Sequence, residues 1–204
     1  MTRLIVTGTD TEIGKTVFAA ALTAALGTRY WKPIQSGLDG GSDADRVVAL
    51  GVPASRVVPE AYRFQTPCSP HRAAELDGIP VDLARLDPPP GPLVIEGAGG
   101  VLVPVTRQVL YADLFARWQI PAILVARTAL GTINHSLLSI EALRYRGVPI
   151  AGIAFVGAPV PDTETTIVAI SGVRRLGRLP LLDPVSPQGL AAAFAANFDL
   201  AAFA

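Results

Sequence analysis

The sequence predicts an α/β fold: an open, mostly parallel sheet with helices on both faces, formed as a single domain over residues 1–204. Three observations predict it. Short apolar runs suited to buried parallel strands, such as Leu93-Val94-Ile95 and Ala122-Ile123-Leu124-Val125-Ala126, alternate with longer helix-forming stretches. The first strand and helix are joined by a glycine-flanked turn running from Gly8 to Gly14. No shift in composition, internal repeat or low-complexity tract divides the chain.

In chain order, Leu4-Ile5-Val6 is the first strand, and Val17 to Leu26, rich in Ala and Leu, is the first helix. Between them lies Thr7-Gly8-Thr9-Asp10-Thr11-Glu12-Ile13-Gly14-Lys15-Thr16, a phosphate-binding loop. Its helix start offers unpaired backbone N–H groups and the positive end of the helix dipole to a polyphosphate. Lys15 reaches the β/γ-phosphates in this reading, and the Thr16 hydroxyl completes a Mg²⁺ shell. The first glycine stands one residue earlier than usual, which leaves five residues between Gly8 and Gly14. Two of them, Thr11 and Glu12, can turn polar side chains toward the reacting end of the phosphates and so point to a second substrate nearby.

Arg29 to Ile34 reads as the second strand, with Gln35-Ser36-Gly37 turning away from it. Lys32 precedes a proline and is held extended at the strand's end, where ligands gather in open parallel sheets. It is a candidate second cation at the phosphates. Ser42 caps a helix from Asp43 to Leu50. Asp43 and Asp45 in its first turn either oppose the helix dipole or act as ligands, and the local sequence leaves both open. Val57 to Phe64 is strand in part. Ser69 and Pro70 open a helix that ends near Asp77-Gly78, with His71 structural in its first turn.

Asp87 to Pro92 excludes helix, and Leu93 to Glu96 is a buried strand followed by Gly97-Ala98-Gly99-Gly100. A carboxylate at the end of an apolar strand beside small residues is the arrangement that holds Mg²⁺ opposite a phosphate loop. Val101 to Val105 is irregular, Tyr111 to Gln119 an amphipathic helix, and Ala122 to Ala126 a strand. Leu130-Gly131-Thr132-Ile133-Asn134-His135 opens a helix ending at Arg146-Gly147, and its start suits a carboxylate. Ile150 to Val156 is a strand, Thr163 to Ile170 a short helix, Arg178 to Leu182 a last strand, and Pro187 to Ala196 the C-terminal helix.

Lys+Arg and Asp+Glu are both 17, so nothing recommends nucleic acid or an anionic membrane as partner. Hydrophobic content of 50% and a mean hydropathy of +0.41 point to apolar surface buried between subunits. No run approaches the roughly 18 apolar residues of a membrane span, and the first apolar segment ends too early for a signal peptide. One cysteine, Cys68, excludes an internal disulfide, fits a reducing cytoplasm, and reads as a small buried residue. With His71 and His135 alone, a histidine-based metal site is not expected.

With these pieces in place the chain resembles dethiobiotin synthetase, a P-loop NTPase-like family, over nearly its whole length. The motifs that carry the resemblance are Gly8 to Thr16, Lys32-Pro33-Ile34-Gln35-Ser36-Gly37, Ser42-Asp43-Ala44, Ser69-Pro70-His71, Glu96 to Gly100, and Leu130 to His135. The resemblance implies a homodimeric, Mg²⁺- and ATP-dependent ligase of biotin biosynthesis. Such an enzyme closes the cyclic urea of dethiobiotin from 7,8-diaminononanoate and CO₂, through a carbamate and a carbamic-phosphoric mixed anhydride.

Carried onto matching positions, Lys32, Lys15, Thr11 and Glu12 serve catalysis, and Thr16, Asp43 and Glu96 hold Mg²⁺. The nucleotide lies against Glu12, Ile13, Gly14, Lys15, Thr16 and Val17. Asp43, Glu96, Gly97, Ala98 and Gly99 also belong to the nucleotide site, and Pro180, Leu181 and Leu182 match a base-contacting segment. Ser36 faces the diamine, while Gly131, Thr132, Ile133 and Asn134 bind its distant carboxylate at the dimer interface.

Three features depart from the family pattern. Val81 to Pro92 leaves little room for the usual helix, the segment from Gly157 to Arg178 is short, and Val156 or Gly157 stands where a base-reading Asn is common. The alternative reading is a P-loop ATPase switch of the partition or cell-division type. That class carries a signature lysine where this chain has Asp10. A nucleotide-dependent amidotransferase acting on a corrinoid precursor would need a glutaminase domain with a reactive cysteine, which a lone Cys68 does not supply.

Overall fold

Alternation along the apolar strands decides how the sheet is covered. In the computed structural model, which describes residues 2–203, β1 (Arg3–Gly8) turns Leu4 and Val6 to one face and Ile5 to the other. The same split recurs in β6 (Leu93–Gly100), β7 (Ala122–Arg127) and β8 (Ile150–Val156), so both faces are apolar and both must be covered. One face receives α1 (Lys15–Leu26), α2 (Asp43–Ala49) and α7 (Pro187–Asn197). The other receives α3 (Pro70–Asp77), α4 (Tyr111–Trp118), α5 (Thr132–Tyr145) and α6 (Pro161–Ser171).

With β2 (Arg29–Trp31), β4 (Val57–Val58) and β9 (Arg175–Leu179), the strands form a seven-stranded sheet. Its order is β4-β2-β6-β1-β7-β8-β9, and every pairing is parallel. The chain fills one side of β1 and then crosses to the other, so β1 marks the switch point, and a crevice opens beyond its carboxyl end.

Two strands differ from expectation. The run Arg29 to Ile34 is not one strand, because Pro33 lacks an N–H and ends the ladder at Trp31. Ile34, expected to end that strand, and Gln35 and Ser36, expected in a turn, instead form β3 (Ile34–Ser36), which pairs with β5 (Tyr62–Phe64) in a separate two-stranded sheet. Lys32 therefore sits at a break between two sheets. The last strand runs from Arg175 to Leu179, not from Arg178 to Leu182, because Pro180 stops it. In the fold, Glu164 of α6, only 4% exposed, pairs with Arg175 at 2.7 Å and Arg178 at 3.1 Å.

The strand expected over Leu93 to Glu96 continues through Gly100, which pairs with Gly8, and most other elements follow the sequence. Ser42 and Asp45 form a reciprocal capping box at the start of α2. A short 3₁₀ turn over Leu83–Leu86 stands where the family's helix would be. Beyond α7, a 3₁₀ turn over Leu200–Phe203 brings Phe203 against Phe194 and Phe198, which stack at 4.6 Å and pack on Phe18 of α1. Each ring buried there contributes about 1.5–3 kcal/mol, which anchors the helix that follows the phosphate loop.

Candidate functional site

The phosphate loop closes because two glycines stand where a side chain would collide. Gly14 has φ +93°, and a Cβ there would lie 2.8 Å from Val156. A Cβ at Gly8 would lie 2.8 Å from the Lys15 side chain, so the displaced glycine lets that chain fold back along the loop. The Lys15 ammonium donates to the Asp10 carbonyl. Burial lowers its pKa to about 8, against the raising influence of Glu96. A polyphosphate would replace that carbonyl and further favour the charged form.

Thr16 lies at the centre of the polar site. Its hydroxyl is 2.8 Å from Glu96 Oε1 and 3.0 Å from Asp43 Oδ1. A hydroxyl has one proton, so it can donate to only one carboxylate at a time and turns a lone pair toward the other. A cation resolves that conflict. Two carboxylates and a hydroxyl are hard oxygen donors, too few for an all-protein cage but suited to Mg²⁺ that takes its remaining ligands from phosphates and water. No group of three or more His, Cys, Asp or Glu among the described residues competes for this role.

Lys32, 7% exposed, pairs with Asp43 and lies 3.8 Å from Glu96. The break at Pro33 frees its backbone from the ladder and lets the side chain enter the site. Burial alone would raise the pKa of Asp43, but the Lys32 charge and hydrogen bonds from Lys32 and Thr16 bring it below the usual value. Glu96 is 1% exposed, and its pKa is raised because burial outweighs Lys32.

A cleft of about 1190 Å³ opens over this cluster. Thr11, Glu12, Gly14, Lys15, Thr16 and Val17 line it, together with Lys32, Ser36 and Asp43. Glu96, Ala98, Gly99 and Pro180 to Leu182 complete the wall expected from the sequence. Ile13 borders the cleft, but its side chain is 3% exposed and packs into the core, so only its backbone can face a nucleotide. Gly97 is not in the lining. A Cβ there would lie 3.0 Å from Phe115, and its role is to admit that ring. Gly131, Thr132, Ile133 and Asn134 also lie outside the cleft, at the start of α5, with Gly131 and Asn134 exposed.

Several residues were not anticipated. Gln35 accepts from the Asp43 N–H at 3.2 Å and donates to Ser36 and Gly37, fixing the start of α2 against β3. Tyr30 donates its hydroxyl to Glu96 Oε2 at 2.8 Å, and burial first, then Glu96, drives its pKa well up. Arg46 and Arg127 line the cleft without side-chain hydrogen bonds or ion pairs among the described residues. Arg127 ends a buried apolar strand at the sheet's carboxyl edge, a position that could have singled it out. Cys68 is only half-buried and borders the cleft, contrary to the expectation of a buried packing residue. His71 Nδ1 meets Ser69 Oγ at 3.0 Å, a structural contact within the turn.

Comparison with known proteins gives a consistent set of likenesses. A family model described as an AAA domain matches residues 2–189. The chain is 63% identical over 204 residues to the ATP-dependent dethiobiotin synthetase BioD of Sphingopyxis alaskensis, covering 100% of both. It is also 63% identical over 206 residues to the protein of the same name from Novosphingobium aromaticivorans, again with 100% of both covered. Among solved structures, the MinC:MinD cell division protein complex of Aquifex aeolicus aligns with a TM-score of 0.52 at 12% identity. That alignment covers 95% of this chain and 86% of the other, and at such identity it speaks for the fold alone.

Proposed function

The chain belongs to the ATP-dependent dethiobiotin synthetase family, and on that premise we propose that it closes the cyclic urea of dethiobiotin from 7,8-diaminononanoate and CO₂, with ATP as phosphoryl donor. One amine adds to CO₂ and loses a proton, forming a carbamate. A carbamate oxygen takes the γ-phosphoryl group and ADP leaves. The second amine attacks the carbamoyl carbon and loses a proton, the bond from that carbon to the phosphoryl oxygen breaks, and phosphate departs as the ring closes.

The observation that carries this reading is the meeting of two cations with two carboxylates at one point. Lys32 is paired to Asp43 and close to Glu96, and Lys15 feels the charges of all three. Every transferred or displaced group in the proposed reaction is anionic, so placed cations supply most of the catalysis. In our reading Lys15 grips the β/γ-phosphates, while Lys32 stabilises charge that develops on the carbamate and the transferring phosphoryl group. Thr16, Asp43 and Glu96 hold Mg²⁺, which when bound neutralises charge on the phosphate oxygens. Thr11, Glu12 and Ser36 contact the diamine. We read residues 1–204 as one domain and assign the enzyme to the cytoplasm, where a single free thiol such as Cys68 stays reduced.

Incubation with diaminononanoate, bicarbonate, Mg²⁺ and ATP should yield dethiobiotin and ADP in equal amounts. ATP hydrolysis without the ring-closed product would overturn the reading in favour of a switch ATPase.

The absence of Gly131 to Asn134 from the cleft lining supports a homodimer in which this helix start serves the partner's diamine carboxylate. Leu130 is fully exposed beside it, and Leu102 and Leu138 are about half exposed, apolar surface suited to a subunit contact. Asn134→Ala should then raise the KM for diaminononanoate about tenfold and leave that for ATP within twofold, since one hydrogen bond to a carboxylate is lost. A fully active monomer in sedimentation at assay concentration would refute the arrangement.

Base recognition follows from polar groups already spoken for. Val156 O accepts from Thr128 N at 3.1 Å, Gly157 N donates to Leu179 O at 3.0 Å, and Gly157 O accepts from Arg178 at 3.1 Å. The side chains of Val156 and Gly157 offer no donor or acceptor in place of an amide, and Pro180 to Leu182 remain as the segment that matches a base contact. We expect ATP, GTP and CTP to differ in kcat/KM by less than about a hundredfold, the equivalent of roughly two hydrogen bonds. A larger preference for ATP over both would show that the backbone of this segment reads the base unaided.

A further inference from the structure

Glu96 has two carboxylate oxygens, and they face different surroundings. Oε1 meets Thr16 Oγ1 at 2.8 Å and lies 3.8 Å from Lys32 Nζ, on the cleft side. Oε2 accepts from the Tyr30 hydroxyl at 2.8 Å, inside the protein. Sheet register makes this contact possible. Tyr30 of β2 stands beside Val94 of β6, and both belong to the core on the α1 face. Glu96 is two residues further along the same face, a rise of roughly 6.6 Å that the length of a tyrosine side chain spans. The Tyr30 ring is completely buried. Among the described residues its hydroxyl makes no hydrogen bond other than that to Glu96.

We propose that Tyr30 is a positioning residue, which holds Glu96 Oε2 so that the carboxylate presents a single oxygen, Oε1, to Thr16, Lys32 and the metal. The proposal rests on the reading of Glu96 as a Mg²⁺ ligand. One-oxygen presentation has a consequence for metal choice. Mg²⁺ demands near-octahedral geometry with short bonds, whereas Ca²⁺ accepts more ligands and often takes both oxygens of a carboxylate. A carboxylate pinned at one oxygen favours Mg²⁺, and one free to swing is less selective. Tyr30 therefore does more than fill space: it sets which face of Glu96 the site can use.

Tyr30→Phe removes only the hydroxyl and keeps the buried ring. The informative measurement is Mn²⁺ binding to the enzyme with a non-hydrolysable ATP analogue, followed by paramagnetic resonance, with Mg²⁺ and Ca²⁺ as competitors. Loss of one hydrogen bond to a charged group should weaken Mn²⁺ and Mg²⁺ binding about tenfold or more and Ca²⁺ binding less, so the preference for Mg²⁺ narrows. Analogue affinity in EDTA should stay within twofold, a readout of intact folding. In a Glu96→Gln background Tyr30→Phe should add little, because the two act as one unit.

A Tyr30→Phe enzyme with unchanged metal affinity and selectivity, beside a Glu96→Gln enzyme that binds metal poorly, would overturn the role of Tyr30 and leave that of Glu96 standing. Unchanged metal binding in Glu96→Gln itself would overturn the metal-ligand reading beneath it. Equal losses from Tyr30→Phe in both backgrounds would show that the hydroxyl does not act through Glu96. If Tyr30→Phe fails to fold while the double variant folds, the hydroxyl is shown to serve the Glu96 charge. If neither folds, its role is packing and the proposal falls.

Discussion

Lys32→Ala is expected to cut kcat by about a hundred- to a thousandfold while changing ATP affinity less than about tenfold. Lys32 enters the site beyond the broken strand and pairs with Asp43 within 3.8 Å of Glu96. In the proposed reaction its partner is charge that appears as the carbamate oxygen takes the phosphoryl group, so its contribution is largest in the transition state. Lys15 differs. Its ammonium rests on the Asp10 carbonyl of the loop, where ground-state phosphates would replace that contact. Lys15→Ala should therefore raise the ATP dissociation constant and lower kcat together. Equal losses of ATP affinity in the two variants, measured by calorimetry, would show that the roles are wrongly divided.

Glu96→Gln is expected to lower turnover at least about a hundredfold with little or no loss of stability. Glutamine retains an acceptor for the Tyr30 hydroxyl and turns its amide N–H₂ toward Thr16, so the hydrogen bonds at this buried position can all be remade. It also removes a charge whose burial is unfavourable, as the raised pKa of Glu96 indicates. Folding free energy in urea should change by less than about 1 kcal/mol, or rise. Normal turnover of this variant at low Mg²⁺ would show that Glu96 has no part in holding the metal. Loss of activity matched by an equal loss of stability would instead mark Glu96 as a structural residue.

The two variants probe parts of the site that differ in how they were legible. The phosphate loop could be read directly, because its signal lies within nine residues of contiguous chain, Gly8 to Thr16, and its glycines are demanded by local geometry. The Ser42 cap and the Asp43 it places at the start of α2 are local in the same way, since a capping box spans an N-cap and its third neighbour. The apolar runs fixed the sheet class, because strands buried on both faces must be apolar throughout.

What the sequence could not supply lies across strands. That Tyr30 reaches Glu96, or that Lys32 meets Asp43 and Glu96 together, depends on β2 lying beside β6 and β6 beside β1. The Arg29 to Ile34 run concealed a break, because Pro33 forbids one ladder bond but does not say where Ile34 to Ser36 will pair. Likewise the last strand, expected over Arg178 to Leu182, lies over Arg175–Leu179, where Glu164, eleven residues before Arg175 on a neighbouring helix, pairs with Arg175 and Arg178. Thus the sequence by itself determined the α/β class, the phosphate loop, the helix caps and the identity of the charged residues, all of which rest on short-range spacing. Only the tertiary structure decided which oxygen of Glu96 faces the cleft, where Lys32 points, and that Gly131 to Asn134 stand apart from the cleft of their own chain. Those outcomes follow from strand order and register, which are set by the packing of distant segments on a shared sheet.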